Sequence, residues 1–172
     1  MLFRSIGGGI PSGAYGLTAE LAEQILADPA ADIEDTGGVG GTLAGNALSA
    51  AAMRATLGEV LTDEAFDHMI AVATRFTAGV QSVLDSRRLP WNIVQLGARA
   101  EYRFCPEPPR SGGESAAAAD ADLDEYLHQY MVNRGVLMTP FHNMALMCPA
   151  TTDADADAHA GLFASAADDL LS

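Results

Sequence analysis

The sequence predicts a mixed α/β protein: a small α/β unit joined by a long helix to an N-terminal part of different composition. Three patterns carry that expectation. Apolar residues recur at helical spacing over 62–88, the longest periodic stretch in the chain. Two runs rich in β-branched and aromatic residues, 91–96 and 100–104, flank Gly97 as strands flank a turn. Beyond them helical and extended patterns alternate, whereas the first third is dominated by glycine and small residues. The parts are placed at 1–61, 62–88 and 89–172.

In chain order, residues 1–16 are glycine-rich but apolar, which suits a strand and tight turns. Thr18 is placed to cap a helix carrying Leu21, Ile25 and Leu26, and Pro29 with the acidic turn to Asp35 ends it. Residues 36–41 form a glycine-dense loop, and Gly45-Asn46 precedes a small-residue helix over 47–61. Thr62 caps the longest helix. Phe66, Met69, Ile70, Ala73, Phe76, Val80 and Val83 trace its inward face, and Arg87 and Arg88 suit its dipole before Pro90 stops it. Residues 105–119 read as a loop because Pro, Gly, Ser and Ala dominate. A helix over 120–133 turns Leu123, Leu127, Tyr130 and Met131 to one side and stops at Gly135. Short strands are expected at 136–139 and 143–147. Thr152 caps a last helix through Leu171, with Leu162, Phe163, Ala166 and Leu170 inward.

Of the 172 residues, 49% are hydrophobic and 19% charged, enough apolar material for a sizeable core. Net charge is −14, and all nine basic residues are arginine. Nucleic acid and anionic membranes need a basic footprint, so neither is expected as a partner. No apolar run approaches a membrane span and the N-terminus lacks a signal-peptide core, so a cytoplasmic location is expected. Cys105 and Cys148 have neither metal-ligand spacing nor a disulfide-rich context and are expected to be idle thiols.

Gly7-Gly8-Gly9 suggests a phosphate loop, but the detail fails. It lacks the lysine and following Ser/Thr of a Walker loop and does not fit G-x-G-x-x-G ahead of a helix. The longer run Ser5-Ile6-Gly7-Gly8-Gly9-Ile10-Pro11-Ser12-Gly13-Ala14-Tyr15-Gly16 resembles the segment just after the cofactor-binding lysine of class-III aminotransferases. The likeness is nearest their glutamate-1-semialdehyde aminomutase branch. Gly41-Thr42-Leu43-Ala44-Gly45-Asn46 is similar to that family's threonine loop. Asn133-Arg134-Gly135-Val136-Leu137-Met138-Thr139-Pro140 looks like its "gly-val, apolar strand, proline" element. With the acidic last helix, the resemblance covers nearly the whole chain, in the order of the family's C-terminal portion.

That resemblance implies the C-terminal part of an aspartate-aminotransferase-type (fold type I) enzyme, an incomplete large domain followed by a small α/β domain. It implies pyridoxal 5'-phosphate (PLP) as cofactor and small amino and keto compounds as substrates. It also implies a homodimer with sites at the subunit interface, or a dimer with a full-length relative. Thr42 matches the threonine that donates its hydroxyl to the phosphate of the neighbouring subunit's PLP, a charge-assisted bond worth about 1.5–3 kcal/mol. Gly37, Gly38, Gly40 and Gly41 would let the backbone come close. Arg4 stands where the family has the lysine that forms the Schiff base. A guanidinium stays protonated in proteins and is no amine nucleophile. No catalytic side chain is therefore expected, and the chain alone should be inactive. The alternative is a non-catalytic dimerisation module that partners a full-length aminotransferase.

Three further residues are candidates for holding a substrate. Arg99 and Arg103 border the second strand, where either could clamp a carboxylate; the plainer alternative is an ion pair with Glu101 or Glu107. His142 is placed to line a cleft or to serve as a hydrogen-bonded structural residue. His68, His128 and His159 show no zinc spacing. Asp153, Asp155 and Asp157 lack the glycine and twelfth-position acid of a calcium loop and fit the start of a helix instead. No metal is expected.

Overall fold

The computed structural model describes residues 5–27, 45–139 and 142–172. The chain divides into two compact units, Met1–Thr62 and Asp63–Ser172.

In the first unit a 3-10 turn at Ser5–Gly7 leads into a bend where Gly8 and Gly9 have φ of +57° and +102°. Those angles belong to glycine, and they turn the chain back where a strand was expected. No strand occurs among the described residues of this unit. A Cβ at Gly8 would lie 2.8 Å from Thr56 Oγ1, so the bend also needs glycine for close approach. Thr18 caps helix α1 (Ala19–Ala27), as its hydroxyl accepts from the Leu21 N–H at 3.2 Å. Asn46 caps α2 (Ala47–Ala55) through the Ser49 N–H at 3.0 Å, and a π-helical turn follows at Thr56–Val60. Neither helix buries a side chain.

The second unit is built on α3 (Asp63–Arg87). It buries Met69, Val72, Ala73, Phe76, Val80, Val83 and Leu84. Two residues of the expected inward face are exposed: Ile70 sits at the margin of the buried arc, and Phe66 precedes its first member. The helix closes with Arg88 in the left-handed region (φ +54°) and the Leu89 N–H donating to the Leu84 carbonyl at 3.0 Å. This is a Schellman-type stop, made here without glycine. Strands β1 (Asn92–Leu96), β2 (Arg99–Arg103) and β3 (Met144–Leu146) form an antiparallel sheet in the order β1-β2-β3. Leu96 faces Arg99 across the turn at Gly97 (φ +57°), and Glu101 faces Met144.

Three expectations are corrected. Residues 105–119 contain a helix, α4 (Gly112–Ala117). Ser111 accepts from the Glu114 N–H at 3.2 Å, and the Glu114 carboxylate accepts from the Arg110 N–H at 2.6 Å. That Ser-x-x-Glu signal outweighs the two glycines. Residues 136–139 are not a strand: after Gly135 (φ +89°), the Val136 N–H is used to close α5 (Ala121–Val132) on the Met131 carbonyl at 3.0 Å. Leu170, expected inward, is exposed on α6 (Asp153–Leu171). The start of α6 does carry a capping box between Thr152 and Asp155.

The core lies between α3, α6 and the inner face of the sheet. Tyr102, Phe163, Leu84, Leu127 and Met131 are fully buried in it. Two-pronged ion pairs, Arg75 with Asp157 and Arg87 with Asp168, link α3 to α6 with contacts of 2.7–2.8 Å. Solvent screens both pairs, since Arg75, Asp157 and Asp168 are exposed and only the Arg87 side chain is partly covered, so neither is a main source of stability. Closer control comes from Gly79, where an added Cβ would stand 2.9 Å from the Ala160 Cβ. Gly79→Ala should therefore destabilise the second unit by about 1–3 kcal/mol through overpacking, although alanine is the better helix former. Urea unfolding reads it, and an unchanged or raised midpoint would contradict the close crossing.

Candidate functional site

Alternation along β2 projects Arg99, Glu101 and Arg103 from the sheet face opposite buried Ala100 and Tyr102. Glu101 is the common partner. Arg99 Nη2 donates to its Oε2 at 2.6 Å, and Arg103 Nη2 lies 2.9 Å from its Oε1. His142, just ahead of β3, brings Nδ1 to 3.7 Å from the same Oε1. Arg103 Nη1 also donates to the Ser115 hydroxyl of α4 at 2.8 Å. The structure thus brings Arg99, Arg103 and His142 into one cluster around a carboxylate whose side chain is 12% exposed.

This cluster borders a cleft of about 330 Å³ lined by Glu101, Arg103, Ser115, Asp124, His142 and Asn143, among others. Asn143 is buried; its Nδ2 donates to Asp124 Oδ1 at 2.6 Å, while its Oδ1 has no protein partner. Two guanidiniums against Glu101 and Asp124 leave the site close to neutral. A bound carboxylate would share Arg103 with Glu101 rather than meet a free cation.

A second cavity, about 210 Å³, is lined largely by apolar groups including Phe76, Tyr102, Met138 and Met147, with His159. Tyr102 reaches Met138 Sδ with its hydroxyl at 3.5 Å, and burial, then nearby Asp124, pushes its hydroxyl pKa up. His159 is 7% exposed, and burial lowers its imidazole pKa from 6.5 to about 4. It is neutral at pH 7. The unfolded chain takes up a proton near pH 6.5 that the native state refuses until about pH 4, so stability is highest above pH 6.5 and falls through that window. At 1.36 kcal/mol per pKa unit, the loss by pH 4 is about 3 kcal/mol. His159→Leu should flatten that part of the pH dependence; equal slopes for both proteins between pH 7 and 4.5 would refute it.

Arg4, Gly37, Gly38, Gly40, Gly41 and Thr42 lie outside the described residues. Ser115, Asp124 and Asn143 escaped sequence reasoning. Ser115 falls in the stretch read as loop. Asp124 and Asn143 stand 19 residues apart and are joined only by the fold. Glu101 was legible through its place between two arginines at strand spacing.

No protein-family profile matches the chain. It is 33% identical over 155 residues to the glutamate-1-semialdehyde 2,1-aminomutase of Bacillus subtilis, covering 90% of this chain and 34% of that protein. Among solved structures it is similar to a glutamate-1-semialdehyde-aminomutase from Pseudomonas aeruginosa PAO1 in complex with PMP. The TM-score is 0.88 and the identity 47%, over 96% of this chain and 37% of that one. A β-phenylalanine aminotransferase from Variovorax paradoxus superposes with a TM-score of 0.71 at 26% identity, over 93% of this chain and 36% of that one. The chain spans about a third of the length of the relatives it matches.

Proposed function

We infer the function of this chain from the family to which it belongs, the PLP-dependent class-III aminotransferases, whose C-terminal portion it matches. Its fold is accordingly part of a fold type I enzyme, with residues 1–61 as large-domain material, 62–88 as the connecting helix and 89–172 as the small domain. The chain serves PLP-dependent transamination or aminomutation of small amino and keto compounds without performing it alone. A cytoplasmic location belongs to this reading, consistent with free Cys105 and Cys148.

One observation carries the negative part. When bound in such enzymes, PLP supplies the electron sink for chemistry at the substrate's amino-bearing carbon, and it needs an amine from the protein to hold it. This chain has no lysine, and the resemblance of the glycine run that follows it puts Arg4 at the family's lysine position. The donor set therefore does not fit covalent attachment. What the chain can offer is the Thr42 hydroxyl with Gly41 for the cofactor phosphate, across a homodimer or a dimer with a full-length relative. For a substrate carboxylate it offers Arg99 and Arg103, with His142 beside them and Glu101 holding both guanidiniums in place. Borohydride reduction of the PLP-treated chain followed by mass spectrometry tests the reading. A pyridoxyl group on any side chain overturns it.

A second reading, an interaction module that partners a full-length aminotransferase, is favoured by the unburied faces of α1 and α2.

A further inference from the structure

The second unit keeps a cavity of about 210 Å³ against the inner face of its sheet, and the candidate site makes no use of it. Tyr102 reaches it from β2, on the face opposite Arg99, Glu101 and Arg103. Phe76 of α3 and His159 of α6 supply two more rings, their centroids 4.6 Å apart, and Met138 and Met147 add adaptable thioether side chains. An engineered apolar cavity of about 150 Å³ already admits benzene, so a single six-membered ring with a substituent fits here by size.

The walls are largely apolar, but three polar groups on them are poorly matched. His159 is 7% exposed, and its Nδ1 has no hydrogen-bond partner. Asn143, 6% exposed, leaves its Oδ1 in the same state. The Tyr102 hydroxyl has the Met138 sulfur at 3.5 Å, a weak acceptor. Buried polar groups without partners cost free energy and are uncommon in folded proteins. Water is a poor remedy, because the space is many times what one molecule needs and most of the wall offers it no hydrogen bond. An ion is no better suited. Among the described residues Asp155 is the one acidic or basic side chain on the wall besides neutral His159, and its Oδ2 already accepts from the Thr152 N–H and hydroxyl at 2.8 and 2.7 Å. A charged ligand would lose its hydration there without gaining a counter-charge. A hydroxyl is donor and acceptor at once, so it can give its proton to Asn143 Oδ1 and meet His159 in either tautomer.

We propose that this cavity is a binding site for a small neutral aromatic molecule carrying one hydroxyl, phenol being the simplest. The ring lies among Phe76, Tyr102 and the two methionines, and the hydroxyl bonds to His159 and Asn143. The site stands on the geometry of the second unit and does not depend on the family reading.

Titration of the full chain, labelled with methyl-¹³C methionine, with phenol, toluene and benzoate is the test, followed by NMR. The methyl signals of Met138 and Met147 should move saturably with phenol, with a Kd on the order of 1 mM. The signal of Met53, in the first unit, should stay in place. Toluene matches the ring without the hydroxyl and should bind about fivefold more weakly, the worth of one hydrogen bond. Benzoate should leave both cavity signals unmoved. His159→Phe keeps a ring and removes the nitrogens, so it should erase the preference for phenol over toluene. The comparison of the two ligands on the unsubstituted chain stands even if that variant does not fold. Cavity signals that fail to saturate would mean that water alone fills the space, and would overturn the proposal. Equal affinity for phenol and toluene, or a preference that survives in a folded His159→Phe chain, would do the same.

Discussion

Phe163→Ala is expected to cost the second unit about 3–5 kcal/mol, a large part of what holds a domain of this size together. Phe163 is fully buried on α6, with its ring 4.9 Å from that of Tyr102 and 6.2 Å from those of Trp91 and His159. The cost of truncating such a ring depends on whether the surroundings can collapse into the space. Here they cannot easily do so. Gly79 already sets the crossing of α3 and α6 at its closest approach, so α6 cannot move inward to fill the space. Leu170→Ala, on the same helix but exposed, should change stability by less than about 0.5 kcal/mol. Trp91 is the single tryptophan, so urea unfolding followed by its fluorescence reports on this region directly. Similar midpoints for the two variants would mean that Phe163 does not anchor the core.

The contrast between Phe163 and Leu170 also shows what the chain reveals before it folds. Both fall at positions read as inward from helical spacing, yet a helix end has no partner to cover it, and spacing alone does not say where the neighbour stops. Local signals were legible wherever they were strong: the caps at Thr18 and Thr152, the turn at Gly97 between two strand-like runs, and the long periodic stretch of α3. They misled where a backbone group was spent elsewhere. Val136 begins a strand-like run, but its N–H closes α5. The candidate site divides along the same line. Arg99, Glu101 and Arg103 share a face because strands alternate, which the sequence states openly. Ser115 and His142 reach them only through the placement of α4 and the approach to β3. The first unit was the least legible part. Its glycines promised strand and turn, and among its described residues only the turn is present.

When the chain is co-expressed with the portion of a class-III polypeptide that precedes the matched region and the two co-elute, Arg4→Lys is expected to convert an unreactive assembly into one that yields a pyridoxyl-modified peptide containing residue 4 after PLP treatment and borohydride reduction. The unsubstituted complex should yield none on any side chain of this chain. The difference is one of proton affinity. Arginine stays protonated, with a pKa above about 12, and its delocalised guanidinium has no lone pair to offer an aldehyde at neutral pH. A lysine begins near 10.4 and is readily lowered by burial or a neighbouring cation, so a reactive fraction exists at pH 7. The only other primary amine in the chain is the terminal one, and a peptide digest separates that adduct from one at position 4. Modification should go from undetectable to a substantial fraction of the chains, far beyond the scatter of mass spectrometry. If the Arg4→Lys complex co-elutes but gains no adduct, position 4 is not where the family's lysine stands. If the unsubstituted complex carries a side-chain adduct, this polypeptide holds PLP by chemistry that arginine cannot supply.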